Sequence, residues 1–213
     1  MFEENFVPLA PINFFQVGVD CLQHHAPLTN ANFEKYLLPD TSMLCKEHHF
    51  ADVALAWHPE GIEAFVYVKQ AIHQVKYPDV SGGDSVELFF DTRDVKTSGF
   101  NTRFCHHFFF LPEAVEGQQA GEITRFRTED KHELCNPNDL KVTAHTKPRG
   151  YTLSISIPQQ CLQGYDPAQF DRLGFTYRIN RASGSPQHFS VVSNEFQIEQ
   201  QPSLWSTLKL IKA

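Results

Sequence analysis

The stretch RFCHHFFF at residues 103–110 sets a cysteine and two histidines side by side, the residue types that ligate metals or activate nucleophiles. The chain carries 11 histidines, with further adjacent pairs at His24-His25 and His48-His49. On a strand, neighbouring side chains point to opposite faces, so His106 groups with Phe104, Phe108 and Phe110, and His107 with Arg103, Cys105, Phe109 and Leu111. One ion cannot easily take both members of such a pair. His106 therefore reads as a core histidine and His107, beside Arg103, as the one that contacts a ligand. Cys105 and His107 share a face, but about 6–7 Å separates their backbones. That is long for a thiol–imidazole pair, and Cys105 reads as a buried structural cysteine.

The same alternation puts Glu87 and Asp91 on one face of SVELFFD, and Arg178 and Asn180 on one face of LGFTYRIN, opposite Phe175, Tyr177 and Ile179. If these strands lie in one sheet, Glu87, Arg103, His107 and Arg178, with Asn180 beside Arg178, form a polar, partly aromatic surface for a ligand. The plainer reading of the same residues is a charged cross-strand ladder, worth about 0.2–1 kcal/mol per pair. Trp57 and Trp205 are the only tryptophans, and each reads as a core or rim aromatic or as a stacking platform.

Period-two patterns bounded by turn residues dominate the chain and predict strands at 51–57, 62–69, 85–91, 102–112, 121–128, 140–146, 150–158, 173–180, 187–193 and 204–212, the first two joined as a hairpin through HPEG. Short helices are predicted only at 30–38 and 166–173, each opened by an Asn or Asp. The fold class is all-β, a two-sheet antiparallel sandwich of jelly-roll or Greek-key type. No linker or repeat divides the 213 residues, so one domain is expected, with 1–45 as an irregular extension packed through Phe2, Phe6, Phe14 and Phe15 onto a sandwich at 46–213.

Composition narrows the function. A net charge of -7 disfavours nucleic acid and anionic lipid. No stretch is apolar for long enough to insert in a membrane, and the first residues lack the positive charge of a signal peptide. A cytoplasmic protein, or one exported by a non-Sec route, is expected. The five cysteines are odd in number and form no CxxC pair, which points to free thiols. No GxSxG, HExxH, phosphate-loop or GxGxxG motif is present, so the chain reads as non-enzymatic.

The order ADVALAWHPEGIEAFVYV, GDSVELFFDTRD, GYTLSISIP, LGFTYRIN and PSLWSTLKL, over residues 50–212, resembles the family 9 carbohydrate-binding modules and the wider DOMON-like sandwiches. The resemblance implies a β-sandwich that binds sugars or haem or serves as an accessory domain. In sugar-binding members a pair of tryptophans clamps a terminal sugar, a role that would fall here to Trp57 and Trp205; a calcium site would draw on Asp91, Thr92 and Asp94. Haem-binding members use a methionine and a histidine, for which only Met43 with His48 or His49 offers itself. The expectation is a carbohydrate-binding domain whose partner is an oligosaccharide or glycan. The alternatives are a protein-interaction domain that keeps the sandwich without the sugar and, more remotely, a haem-binding electron-transfer domain. No cofactor and no metal ligand is expected, because each histidine pair would split across faces and no Cys or Glu stands at ligand spacing around it.

Overall fold

The computed structural model describes residues 17–193 and 196–212. Eleven strands form one mixed sheet that folds over on itself. In chain order they are β1 (Gly18–Gln23), β2 (Ala51–His58), β3 (Gly61–Val68), β4 (Ser85–Asp91), β5 (Cys105–Val115), β6 (Gln118–Glu122), β7 (Lys141–Lys147), β8 (Gly150–Pro158), β9 (Arg172–Asn180), β10 (Gln187–His188) and β11 (Ser206–Ile211). The spatial order is β6-β5-β4-β9-β11-β1-β2-β3-β8-β7, with β10 on β9. One half, β6 to β11, lies over the other, β2 to β7, and β5 and β6 approach β7 at the far side.

Alternation explains both layers. Val53, Leu55 and Trp57 of β2, Ile62, Ala64 and Val66 of β3, and Leu153, Ile155 and Ile157 of β8 face Val86, Leu88 and Phe90 of β4, Phe108 and Phe110 of β5, and Phe175, Tyr177 and Ile179 of β9 in one buried core. Burying a side chain of this size contributes about 1.5–3 kcal/mol, and the two inner faces supply it in matched rows. Gly61 closes the β2–β3 hairpin at φ 151, where a Cβ would meet the Ile157 carbonyl oxygen at 2.3 Å.

The all-β class stands as expected, with departures of detail: the strands expected at 121–128 and 187–193 are Gln118–Glu122 and Gln187–His188. Gly18–Gln23 is a strand rather than irregular chain, and it pairs in parallel with both β11 and β2 while the other pairs are antiparallel. The helix expected at 166–173 is a turn running into β9, because Arg172 already pairs with Lys209. At 30–38 only a 3₁₀ turn, Phe33–Tyr36, forms, and among the described residues the one short α-helix is α1 (Ser42–Cys45). The expected packing of Phe2, Phe6, Phe14 and Phe15 lies outside the described residues.

Cysteine usage is corrected as well. Cys135 and Cys161 form a disulfide, while Cys21, Cys45 and Cys105 are free and buried. The bond ties the long connection after β6 to the 3₁₀ turn Gln159–Cys161 that follows β8. A separation of 26 residues cannot be recognised as a pair from spacing alone.

Candidate functional site

Register brings together residues that lie far apart in the chain. In the β4–β9 pair Glu87 stands opposite Arg178 and Ser85 opposite Asn180, and in the β4–β5 pair Phe89 stands opposite His107. All of these point away from the core, onto the outer face of the first sheet half. Glu87 is the hub. Arg178 donates to it through Nε at 2.9 Å and through a terminal nitrogen at 3.0 Å, and Asn180 Nδ2 donates at 2.5 Å. His107 Nε2 lies 2.5 Å from the second carboxylate oxygen, its ring stacked on Phe89 at 4.1 Å. The other end of the guanidinium reaches Glu199 at 2.6 Å.

Glu87, His107, Arg178 and Asn180 are all buried, so the electrostatics are strong. Burial alone would raise the Glu87 pKa, yet the His107 hydrogen bond and the charges of His107 and Arg178 outweigh it and hold the carboxyl at about 2. Burial likewise opposes the Arg178 charge, and Glu87 and Glu199 more than restore it. The carboxylate is saturated by its neighbours and acts as a rigid floor. Above it opens a cavity of about 620 Å3, rimmed by Asp79, Ser81, Arg125, Gln197, Glu199 and Gln200. Arg125 is exposed and Glu199 half-buried, so the groups free to meet a ligand sit on the rim.

The structure therefore gathers Glu87, His107, Arg178 and Asn180, and it does not bring Arg103, Trp57 or Trp205 to them. The strand begins at Cys105, two residues past Arg103, which falls in a turn closed by the Cys105 N–H to the Thr102 carbonyl at 3.0 Å. The Arg103 side chain, 56% exposed, pairs with Asp130 instead. Trp57 sits in the main core with its indole N–H on the Ile211 carbonyl, and Trp205 packs under Phe89 with its N–H on the Ile198 carbonyl. Both are 2% exposed, so neither presents a face to a sugar. Cys105 is walled in, and burial pushes its thiol up to about 12, which leaves it without nucleophilic character.

The remaining expectations fall on residues otherwise engaged. Asp91 accepts the backbone N–H groups of Arg93 and Val95, Asp94 holds the Lys96 ammonium and the Thr207 hydroxyl, and Thr92 donates to the Gln163 carbonyl. A lysine thus stands where a calcium ion would be sought. Met43 is 88% exposed, and His49 is held by Asp40 and Asp52.

Sequence reasoning missed Glu199, which reaches Arg178 from a 3₁₀ turn at Ile198–Gln200, and the rim residue Arg125 just past β6. Irregular segments carry no periodicity to read. It also missed a second cluster on the inner side of the same strand: His106, Glu122 and His132, whose ligand atoms lie within 4.8 Å of one another. A second groove, about 900 Å3, lies on the other sheet half between His58, Glu63, Lys141 and Ser156. It is larger, but Glu87, a carboxyl strongly shifted by specific charge partners, lines the smaller cavity, and shifts of that kind cluster at functional sites.

No protein-family model matches the chain, and no curated protein matches it in sequence. Solved structures do match. A family 9 carbohydrate-binding module from Caldicellulosiruptor kristjanssonii in complex with cellotriose superposes at a TM-score of 0.62 and 12% identity, over 92% of this chain and 95% of that one. The same module in complex with glucose gives the same score and identity over 92% and 96%. The chain has the fold of the family 9 carbohydrate-binding modules.

Proposed function

We propose that this is a non-catalytic carbohydrate-binding domain that holds its sugar in the cavity over Glu87. One observation carries the reading: a polar cavity whose floor, Glu87 with Arg178, His107 and Asn180, is immobilised by its own hydrogen bonds, and whose rim offers Glu199, Arg125, Gln197 and Gln200. Carboxylate, guanidinium and amide groups held at fixed positions match the alternating donors and acceptors of a saccharide. The fold it shares with modules solved with glucose and cellotriose supports the same class of ligand. The Cys135–Cys161 disulfide favours an oxidising compartment.

Among the described residues no Phe, Tyr or Trp lines the cavity. Recognition then rests on hydrogen bonds without stacking, and the expected affinity is weak, about millimolar. The test is calorimetric titration with glucose, cellobiose and a panel of oligosaccharides against the wild type, Arg125→Ala, Glu199→Gln and Glu63→Gln. Saturable binding lost in the first two variants and kept in the third supports the reading. Binding lost only in Glu63→Gln moves the ligand to the opposite groove, and silence across the panel sinks the proposal in favour of a protein-interaction domain.

A further inference from the structure

Glu122 is the last residue of β6, at the open end of the β5–β6 hairpin. Register sets it opposite Phe108, so its carboxylate lies on the inner side of the strand, beside His106. Its Oε1 meets three groups: His106 Nδ1 at 2.9 Å, His132 Nε2 at 2.8 Å and the Thr124 hydroxyl at 2.7 Å. Oε2 accepts the Cys135 backbone N–H at 2.7 Å. The side chains of His106 and Glu122 are fully buried, and that of His132 is 6% exposed.

Hydrogen counting shows what this cluster lacks. His132 Nδ1 lies 2.7 Å from the Arg103 carbonyl oxygen. A carbonyl only accepts, so the hydrogen of a neutral His132 must sit on Nδ1. That leaves the Nε2 lone pair facing a carboxylate oxygen at 2.8 Å. Two acceptors hold such a contact only when a positive centre lies between them. His106 poses the complementary problem. With its hydrogen on Nδ1 it donates to Glu122, but its buried Nε2 then has no partner, although the Gln163 carbonyl lies next to it. Moving that hydrogen to Nε2 lets it point at the Gln163 carbonyl and turns the Nδ1 lone pair onto Glu122 as well. Both rings then aim lone pairs at one carboxylate. A proton on His132 alone also places one positive centre at its contact but leaves His106 Nε2 unpartnered, and protonating both rings sets two buried imidazolium ions at a ring separation of 4.4 Å, whereas one metal ion answers both rings.

We propose that His106 Nδ1, His132 Nε2 and Glu122 bind one divalent transition-metal ion of the zinc class. Two imidazoles and a carboxylate suit zinc and its neighbours rather than calcium or magnesium, which prefer oxygen alone. Four-coordinate zinc, with bonds of about 2.0–2.1 Å, spaces its ligand atoms about 3.3 Å apart. The present 2.8–2.9 Å contacts have to open by roughly 0.5 Å. His132 sits on the connection between β6 and β7, where a small outward movement is least costly. The outer partners are already in place: the Arg103 carbonyl for His132, and Thr124 and the Cys135 N–H for Glu122. Such partners fix ring orientation and raise ligand basicity. The ion would pin the segment carrying His132 and Cys135 against the β5–β6 hairpin, with a water in its fourth position.

The test uses the full chain without a histidine tag, stripped with chelator and titrated with zinc chloride by calorimetry and with cobalt chloride by visible absorption. One equivalent of zinc, the absorption bands of four-coordinate cobalt, and a zinc-dependent rise in unfolding temperature are expected. His132→Ala is to weaken zinc binding more than about 10-fold, while His49→Ala leaves it unchanged. Glu122→Gln keeps the shape of the carboxylate and gives a second reading should His132→Ala fold poorly. Absence of saturable binding by the folded wild type, or binding unaltered in both His132→Ala and Glu122→Gln, overturns the proposal.

Discussion

Two carboxylates stand back to back on the β4–β5–β6 ribbon, each held by a histidine from the same dipeptide. Glu87 takes His107 on the outer face, and Glu122 takes His106 on the inner face. Both are held near pKa 2 against the opposing effect of burial. The difference is the source of the positive charge. Glu87 has Arg178, a guanidinium that is charged at every accessible pH. Glu122 has only imidazoles, whose charge must be taken up as a proton or an ion. A carboxylate with a fixed cation is complete and serves as scaffold. One with conditional cations stays open to what the solution supplies.

Removing the fixed cation is the largest available perturbation. Arg178→Met leaves Glu87 buried with His107 and Asn180 alone, and a loss of about 3–5 kcal/mol in urea unfolding is expected. A loss below about 1 kcal/mol would mean that the guanidinium is not what completes the cluster.

Acid gives a smaller, graded effect. The folded pKa of Glu87 lies below its ordinary 4.5, at about 2. Its contribution is therefore present in full above pH 4.5 and lost as pH falls toward 2. The size is on the order of 3 kcal/mol. Stability measured by denaturant titration across this window is expected to fall less steeply in E87Q than in the wild type, and equal slopes would sever the link between Glu87 and acid unfolding.

The smallest effect is expected at Arg103. More than half exposed and paired with Asp130, it should cost less than about 1 kcal/mol on replacement by alanine. A larger loss would show that its carbonyl contact to His132 depends on the side chain as well.

Legibility followed periodicity. The β2–β3 hairpin, β4 and β8 lie within a residue or so of their expected bounds because each alternates cleanly against the core. Glu87, His107, Arg178 and Asn180 could be set on one face for the same reason, since β4, β5 and β9 are neighbours in register. Arg103 was misplaced because alternation says nothing about where a strand begins. Trp57 kept the company expected of it, Val53 and Leu55, and that company is the core. The cluster at Glu122 was not legible, beyond the inward face of His106. The turn at Glu116 and Gly117, with φ of 53 and 79, pairs Val115 with Gln118, and it is a register shift between Phe110 and Val115 that brings Glu122 opposite Phe108. His132 and Cys135 arrive on irregular chain, where no period exists to follow.

The parallel strand β1 bears on how the chain folds as a process. It shares five register positions with β11, from Gly18 opposite Thr207 to Leu22 opposite Ile211, and only two with β2. Its principal partner is thus nearly two hundred residues away along the chain. Hairpins such as β2–β3 can form as soon as their own residues are available, but β1 can be seated only after β11 exists. Contacts of such sequence separation carry a large closure entropy and slow the final step. Since β11-β1-β2 is the seam joining the two sheet halves, β2-β3-β8-β7 can assemble before β11 is paired, while the other half, which includes β11, and the closed sheet wait for that strand.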